Sequence, residues 1–242
     1  MPAFATPGPI AATVEVAGAR VRVTATDRTD TVVLVEPINE ASRSDVKVAS
    51  KTKVDFAGGQ LSVKTTTPGD KSGSVTITIG LPTGSSLALY LAHSSVRGDG
   101  PLGQCELHLA SGQVQLDRIG ALQASVASGE VAIGHIAGRA TIDGGAFAMR
   151  VGEVEGSITA TTGSGAIGIG RMTSGQAKLV NGSGNIEVGI SEGSAASIDA
   201  SSERGAVHDF VSSQGNSEPS DRTVMVHART RHGDIIIQRA AS

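Results

Sequence analysis

The chain of 242 residues contains one cysteine, one tyrosine, four phenylalanines and no tryptophan. Cys105, alone, cannot close an intrachain disulfide, so stability has to come from burial. So few aromatic rings leave neither a stacking platform for bases nor an aromatic strip for sugars. Lys and Arg total 20 against 23 Asp and Glu, a formal charge of −3 with no basic block. Nucleic-acid binding loses its electrostatic footprint, and an anionic membrane surface is disfavoured for the same reason. The longest apolar run near the middle, Leu87 to Ala92, is far short of the roughly 20 residues that a membrane-spanning helix needs. The start, Met1-Pro2-Ala3-Phe4, has neither the basic nor the apolar region of an export signal, so a cytoplasmic location is expected.

Glycine, by contrast, is abundant at 32 residues, while hydrophobic residues still make up 39%. That balance supports a packed core and excludes collagen-like and disordered readings. The glycines are periodic. Ser111-Gly112 leads to Val114 and Leu116, Ser128-Gly129 to Val131 and Ile133, Ser164-Gly165 to Ile167 and Ile169, and Ser183-Gly184 to Ile186 and Val188. Met149 and Val151 occupy the intervening turn of the repeat. The first apolar positions, 114, 131, 149, 167 and 186, lie 17, 18, 18 and 19 residues apart. A second landmark falls between them, at Gly103, Gly120, Gly138, Gly156 and Gly175, followed by Leu122/Ala124, Ala140/Ile142, Ile158/Ala160 and Ala177/Leu179.

Apolar residues two apart mark half-buried strands, and no stretch sustains the 3.6-residue spacing of a helix. The chain is therefore expected to be all-β: a single-domain parallel β-solenoid, or β-helix, with coils of about 17–21 residues. Each coil holds at least two strands, and stacking at about 4.8 Å buries what one coil cannot. Gly112, Gly120, Gly129, Gly138, Gly156, Gly165, Gly175 and Gly184 are the expected corners, where the chain bends sharply. The expected core holds Cys105, Val114, Leu116, Val131, Ile133, Met149, Val151, Ile167, Ile169, Ile186 and Val188. Cys105 follows Gly103 as Leu122 follows Gly120, so it should be a buried, inert thiol.

The same phrase occurs more loosely after Gly18, Gly59, Gly73 and Gly233. Residues 1–60, with longer alternating strands, read as an N-terminal β cap of the same domain, and 61–211 as the coils. Residues 212–221, rich in Ser, Gly, Asn and Pro, read as an exposed loop, and 222–242 as strands closing the solenoid.

Several enzyme-like patterns dissolve in this register. Gly98/Gly100/Gly103 and Gly163/Gly165/Gly168 imitate a dinucleotide fingerprint, but no helix follows to receive a pyrophosphate. Gly189-Ile190-Ser191-Glu192-Gly193 lacks the strand-to-helix turn of a nucleophile elbow. Asn181-Gly182-Ser183 is a glycosylation sequon in form only. The six histidines, at 93, 108, 135, 208, 227 and 232, lack zinc-ligand spacing and read as surface or corner residues. Outward positions read Gln115, Ala132, Arg150, Gly168 and Glu187, preceded by Gln113, Glu130, Ala148, Ala166 and Asn185. That is no carboxylate ladder for sugar chemistry or calcium. Calcium-binding nonapeptide solenoids place Asp in every turn, and hexapeptide acyltransferase helices divide 18 residues in three; neither pattern is present. No catalytic, cofactor-binding or metal-binding residue is nominated.

The Ser-Gly-x-Val-x-Ile coils, with the opening strands Val21–Thr24 and Thr29–Pro37, resemble the bacterial β-strand-repeat family called "putative adhesins", a domain of unknown function. The likeness spans roughly residues 10–239. It implies a β-solenoid, supplies no catalytic residues, and carries a name that implies surface display. The function expected from all this is a non-enzymatic scaffold or interaction module with a protein partner. The alternatives are self-assembly into filaments through strand edges, and a carbohydrate-binding or carbohydrate-active β-helix; a glycan partner is the weaker of the two.

Overall fold

A computed structural model describes residues 2–65, 73–211 and 222–240. The structure is 73% strand and 4% helix, so sheet hydrogen bonding carries the fold, in an open arrangement that does not close into a barrel. The chain divides into two compact units, Met1–Gly120 and Ala121–Ser242.

The first unit runs β1 (Ala3–Ala5), β2 (Ala11–Ala17), β3 (Ala19–Thr26), β4 (Asp30–Pro37), α1 (Arg43–Lys51), β5 (Lys53–Ala57), β6 (Gln60–Lys64), β7 (Val75–Pro82), β8 (Ser86–Ala92) and β9 (Ser94–Leu109). Strict alternation in β3, Ala-Arg-Val-Arg-Val-Thr-Ala-Thr, buries every other side chain. β2 pairs in parallel with β6 on one side and β8 on the other, and β3 likewise with β7 and β9. Leu61, Ala12, Leu87 and Cys105 therefore stand in one inward column, with Val63, Val14, Leu89 and Leu107 beside it. All eight are buried.

The region 1–60, expected to be a cap, is thus only partly one. β2 and β3 form an inner coil, because Val14, Val21 and Val23 need a strand on both sides to reach full burial. The capping role falls to antiparallel strands: β5 on β6, β4 on β7, and β1 on β4. The expectation of no helix is also corrected by α1. Only Val48 in it is buried, so it has no apolar stripe to betray it. It is held at its N-terminal end: Ser42 Oγ accepts from Asp45 N, and the Asp45 carboxylate accepts from the backbone N–H groups of Asn39 and Ser74.

Strand β10 (Gly112–Ile136) leads into the second unit, which continues β11 (Ala140–Val154), β12 (Ile158–Ser164), β13 (Ile167–Met172), β14 (Gly175–Ser183), β15 (Ile186–Ile190), β16 (Ala195–Arg204), β17 (Val207–Asp209), β18 (Thr223–His232) and β19 (Ile235–Arg239). Among the described residues its pairings are parallel. Val131, Met149, Ile167, Ile186 and Ile235 form one column, and Ile133, Val151, Ile169, Val188 and Ile237 the next. The opposite wall stacks Leu122, Ala140, Ile158, Ala177 and Val226. Every core residue named from the sequence, from Cys105 to Val188, is buried.

Residues 222–242 do not close the array as expected. β18 pairs with β14 on one side and β16 on the other, and β19 with β15 and β17. The last coil in sequence is thus inserted beneath the one before it. Composition explains the exchange: Val224, Val226, Ala228, Ile235 and Ile237 require burial from two sides, whereas Ala-Ala-Ser-Ile-Asp-Ala-Ser-Ser-Glu-Arg tolerates an edge. The exposed loop expected at 212–221 lies outside the described residues.

Five of the eight expected corner glycines, Gly112, Gly129, Gly165, Gly175 and Gly184, take positive φ, and Gly120, Gly138 and Gly156 do not. Gly165 shows why the residue is needed. Its φ is +117°, and a Cβ there would run into the carbonyl of Phe147 on the neighbouring coil. Gly165→Ala is expected to lower unfolding stability by about 2–4 kcal/mol in a urea titration. Gly8→Ala, with nothing within 4 Å of the added carbon, is expected to stay within about 0.5 kcal/mol of the parent.

Candidate interaction surface

The corners carry an internal polar ladder that the sequence did not disclose. Thr162, Asn181 and Thr230 occupy equivalent register positions and are buried. Each reaches a backbone carbonyl at a corner: Thr162 Oγ1 donates to Ser164 O at 2.8 Å, Asn181 Nδ2 to Gly165 O at 2.7 Å, and Thr230 Oγ1 to Gly184 O at 3.2 Å. Ser202, next in register, donates to Gly233 O at 2.8 Å. These groups satisfy carbonyls that a tight bend leaves without ladder partners. The sequon asparagine is therefore a structural clamp, with both amide atoms bonded inside the fold. The signal was present in the sequence only as a polar residue three before a glycine, as in Thr162/Gly165, Asn181/Gly184, Ser202/Gly205 and Thr230/Gly233.

The glycine patterns end up in strands and corners. Gly98, Gly100 and Gly103 lie within β9, and Gly163 to Gly168 bridge β12 and β13. Ser191 receives the Arg239 guanidinium on its carbonyl at 2.9 Å. Among the described residues no group of three His, Cys, Asp or Glu side chains could hold a metal ion. Burial pushes the Cys105 thiol up to about 12. With so little thiolate, Cys105 is expected to resist alkylation at mildly alkaline pH in the native protein and to react once guanidinium unfolds it, as mass spectrometry would read.

Outward faces hold the remaining chemistry. In the first unit Lys64, Glu15, Tyr90 and His108 form one outward column, set by the register of β6, β2, β8 and β9. The Tyr90 and His108 rings stack with centroids 4.8 Å apart and planes within 6°, the spacing of adjacent strands. Glu106 ties them together: Tyr90 Oη donates to its Oε1 at 3.1 Å, and His108 Nε2 lies 2.8 Å from the same oxygen. Tyr90, the sole tyrosine, remains 39% exposed, which makes it available to a partner. Lys64 and Glu15 pair at 2.8 Å along the same column.

In the second unit Asp199 accepts from both Arg229 and His227, with Arg229 Nη2 2.7 Å from each carboxylate oxygen and His227 Nδ1 at 2.9 Å. The bonded Arg229 guanidinium, then His227, hold the Asp199 carboxyl below its ordinary range. A depressed folded-state value stabilises above the unfolded carboxylate pKa of about 3.9 and is lost as pH falls through the lower folded value. Asp199→Asn is accordingly expected to flatten the fall of Tm below about pH 4, with the difference from the parent shrinking in salt.

The other histidines are dispersed. His93 takes φ 49° at a corner with Ser111 Oγ 2.7 Å from its Nδ1, His135 faces Glu155 at 3.4 Å, His208 stacks on Phe210, and His232 lies 3.4 Å from Arg204. The outward column Ala132, Arg150, Gly168, Glu187 and Ile236 is in register and mixed in character.

A comparison with protein families agrees in extent with this chain-long repeat: the family described as Toastrack DUF4097 matches residues 12–238. The chain belongs to the Toastrack DUF4097 family. Toastrack domains are β-solenoid-like. A comparison with curated proteins finds no match. Among solved structures, a "putative adhesin" of Bacteroides fragilis NCTC 9343 aligns with a TM-score of 0.50 at 10% identity, covering 98% of this chain and 95% of that one. A "putative adhesin" of Parabacteroides distasonis ATCC 8503 gives 0.49 at 11%, again over 98% and 95%. A protein from the same strain described as "putative lipid binding" gives 0.31 at 12%, over 99% and 96%. At these identities the likeness to the Bacteroides fragilis protein is one of fold. Among the described residues of this Toastrack chain no helix is long and apolar enough to cross a membrane.

Proposed function

We propose that the protein is a non-enzymatic solenoid scaffold that binds a protein partner across the face bearing Tyr90, His108 and Glu106. The observation that carries the reading is the exposed Tyr90–His108 stack braced by one carboxylate on stacked strands. Tyrosine is enriched among residues that dominate binding energy, since it brings large contact area at low entropic cost. Bracing by Glu106 removes part of that cost in advance. The family name borne by structural neighbours agrees with a binding role for this chain, and the mixed outward columns supply a polar rim.

Quantitative capture from native lysate tests this. Proteins retained by the parent should be lost, or weakened by about tenfold or more, with Tyr90→Ala, and kept with Tyr90→Phe to the extent that ring contact rather than the hydroxyl binds. Equal recovery by parent and Tyr90→Ala would remove the face from consideration. A glycan array and a lyase screen probe the carbohydrate reading, and a Tyr90-dependent hit there would reassign the face to a sugar.

A further inference from the structure

The second unit leaves one edge of its fold incomplete. Among the described residues β16 pairs on one side only, with β18. Burial records the consequence. Val226 and Ala228 are buried, whereas Ile198 and Ala200, directly in register on β16, are only half-buried. In the first unit the corresponding outer strands, β6 and β7, carry β5 and β4 on their outer sides. A bare strand offers its row of backbone N–H and C=O groups to another strand.

We infer that β16 is a self-association edge, pairing antiparallel with β16 of a second copy about a two-fold axis at Ala200. A two-fold axis forces a strand to meet its own copy antiparallel, and such an isologous contact closes at a dimer instead of growing into a filament. Directly opposite residues of an antiparallel pair point to the same side, so inward residues must face inward ones. The two such registers that keep most of Ala195–Arg204 overlapped centre on Asp199 and on Ala200.

Charge chooses between them. Centring on Asp199 sets that carboxylate against itself, and a slip to Ser201 sets it against Glu203. Centring on Ala200 sets Asp199 against Ser201 and Glu203 against Ser197, so each carboxylate meets a hydroxyl donor, twice over by symmetry. Inside, Ile198 meets Ser202 and Ala200 meets Ala200, which extends the half-buried column. Both acids are already answered within their own copy, Asp199 by Arg229 at 2.7 Å and Glu203 by Arg231 at 3.9 Å, so the two edges do not approach as bare negative charges. The inference uses neither Tyr90 nor the face around it.

Sedimentation velocity over a wide concentration range tests it with three variants. The parent is expected to dimerise. Ser201→Glu places a second carboxylate opposite Asp199 at two symmetric points and should weaken the dimer by about tenfold, while Ser201→Lys should preserve or tighten it. Ser201 is exposed, so an unchanged Tm and circular dichroism spectrum will separate lost association from lost folding. Ala200→Cys should form an intermolecular disulfide on mild oxidation, since the axis brings the residue against itself, and buried Cys105 will not compete. A parent that stays monomeric at every concentration overturns the inference. So does a dimer indifferent to Ser201→Glu, or one in which Ala200→Cys fails to cross-link.

Discussion

Everything in this protein depends on parallel strands stacking in register, so that equivalent side chains of successive coils fall on one line. A single coil of Val, Ile and Ala has no inside; its apolar residues are buried only because the coils on either side present the same residues at the same place. The columns through Val131 and Ile133 show this directly, since each runs across five strands without a polar interruption. A register slip of one residue would turn every such column outward, which is why the alternation is so strict.

Stacking at strand spacing imposes a second condition at the bends. Corner backbones of adjacent coils lie so close that an added Cβ at Gly165, Gly175 or Gly184 would meet the carbonyl of its neighbour. The ladder of Thr162, Asn181, Thr230 and Ser202 answers the polar side of the same problem, giving corner carbonyls the donors that bending takes away. Glycine and a polar side chain thus work together at the bends of Gly165, Gly184 and Gly233. Toastrack architecture leaves the outward positions comparatively free, and there side chains group by column: Tyr90 over His108, Asp199 beside His227.

Edges decide how the stack ends. The first unit covers its outer strands with antiparallel β4 and β5, and α1 is tied to the chain just before β7 by Asp45 and Ser74. In the second unit the most serine-rich coil lies outermost among the described strands, with the C-terminal coil sheltered beneath it. Polar composition makes an edge tolerable, but it does not remove the backbone groups that an edge exposes.

The sequence by itself determined the fold class, the period, the inward columns and the buried thiol, because alternation and glycine spacing report on contacts between neighbouring coils, which are local and repeated. It did not reveal α1, whose single buried residue Val48 carries no period, nor the antiparallel strands that flank β6 and β7. Which coil lies outermost was likewise a tertiary decision. Residues 11–26 and 222–239 each sit between two other coils, and that placement follows from a comparison of how much burial each coil requires, a competition between segments far apart in the chain. The Tyr90–His108–Glu106 group has the same origin: its members lie in β8 and β9, and only the register of those two strands brings a tyrosine, a histidine and a carboxylate to one spot.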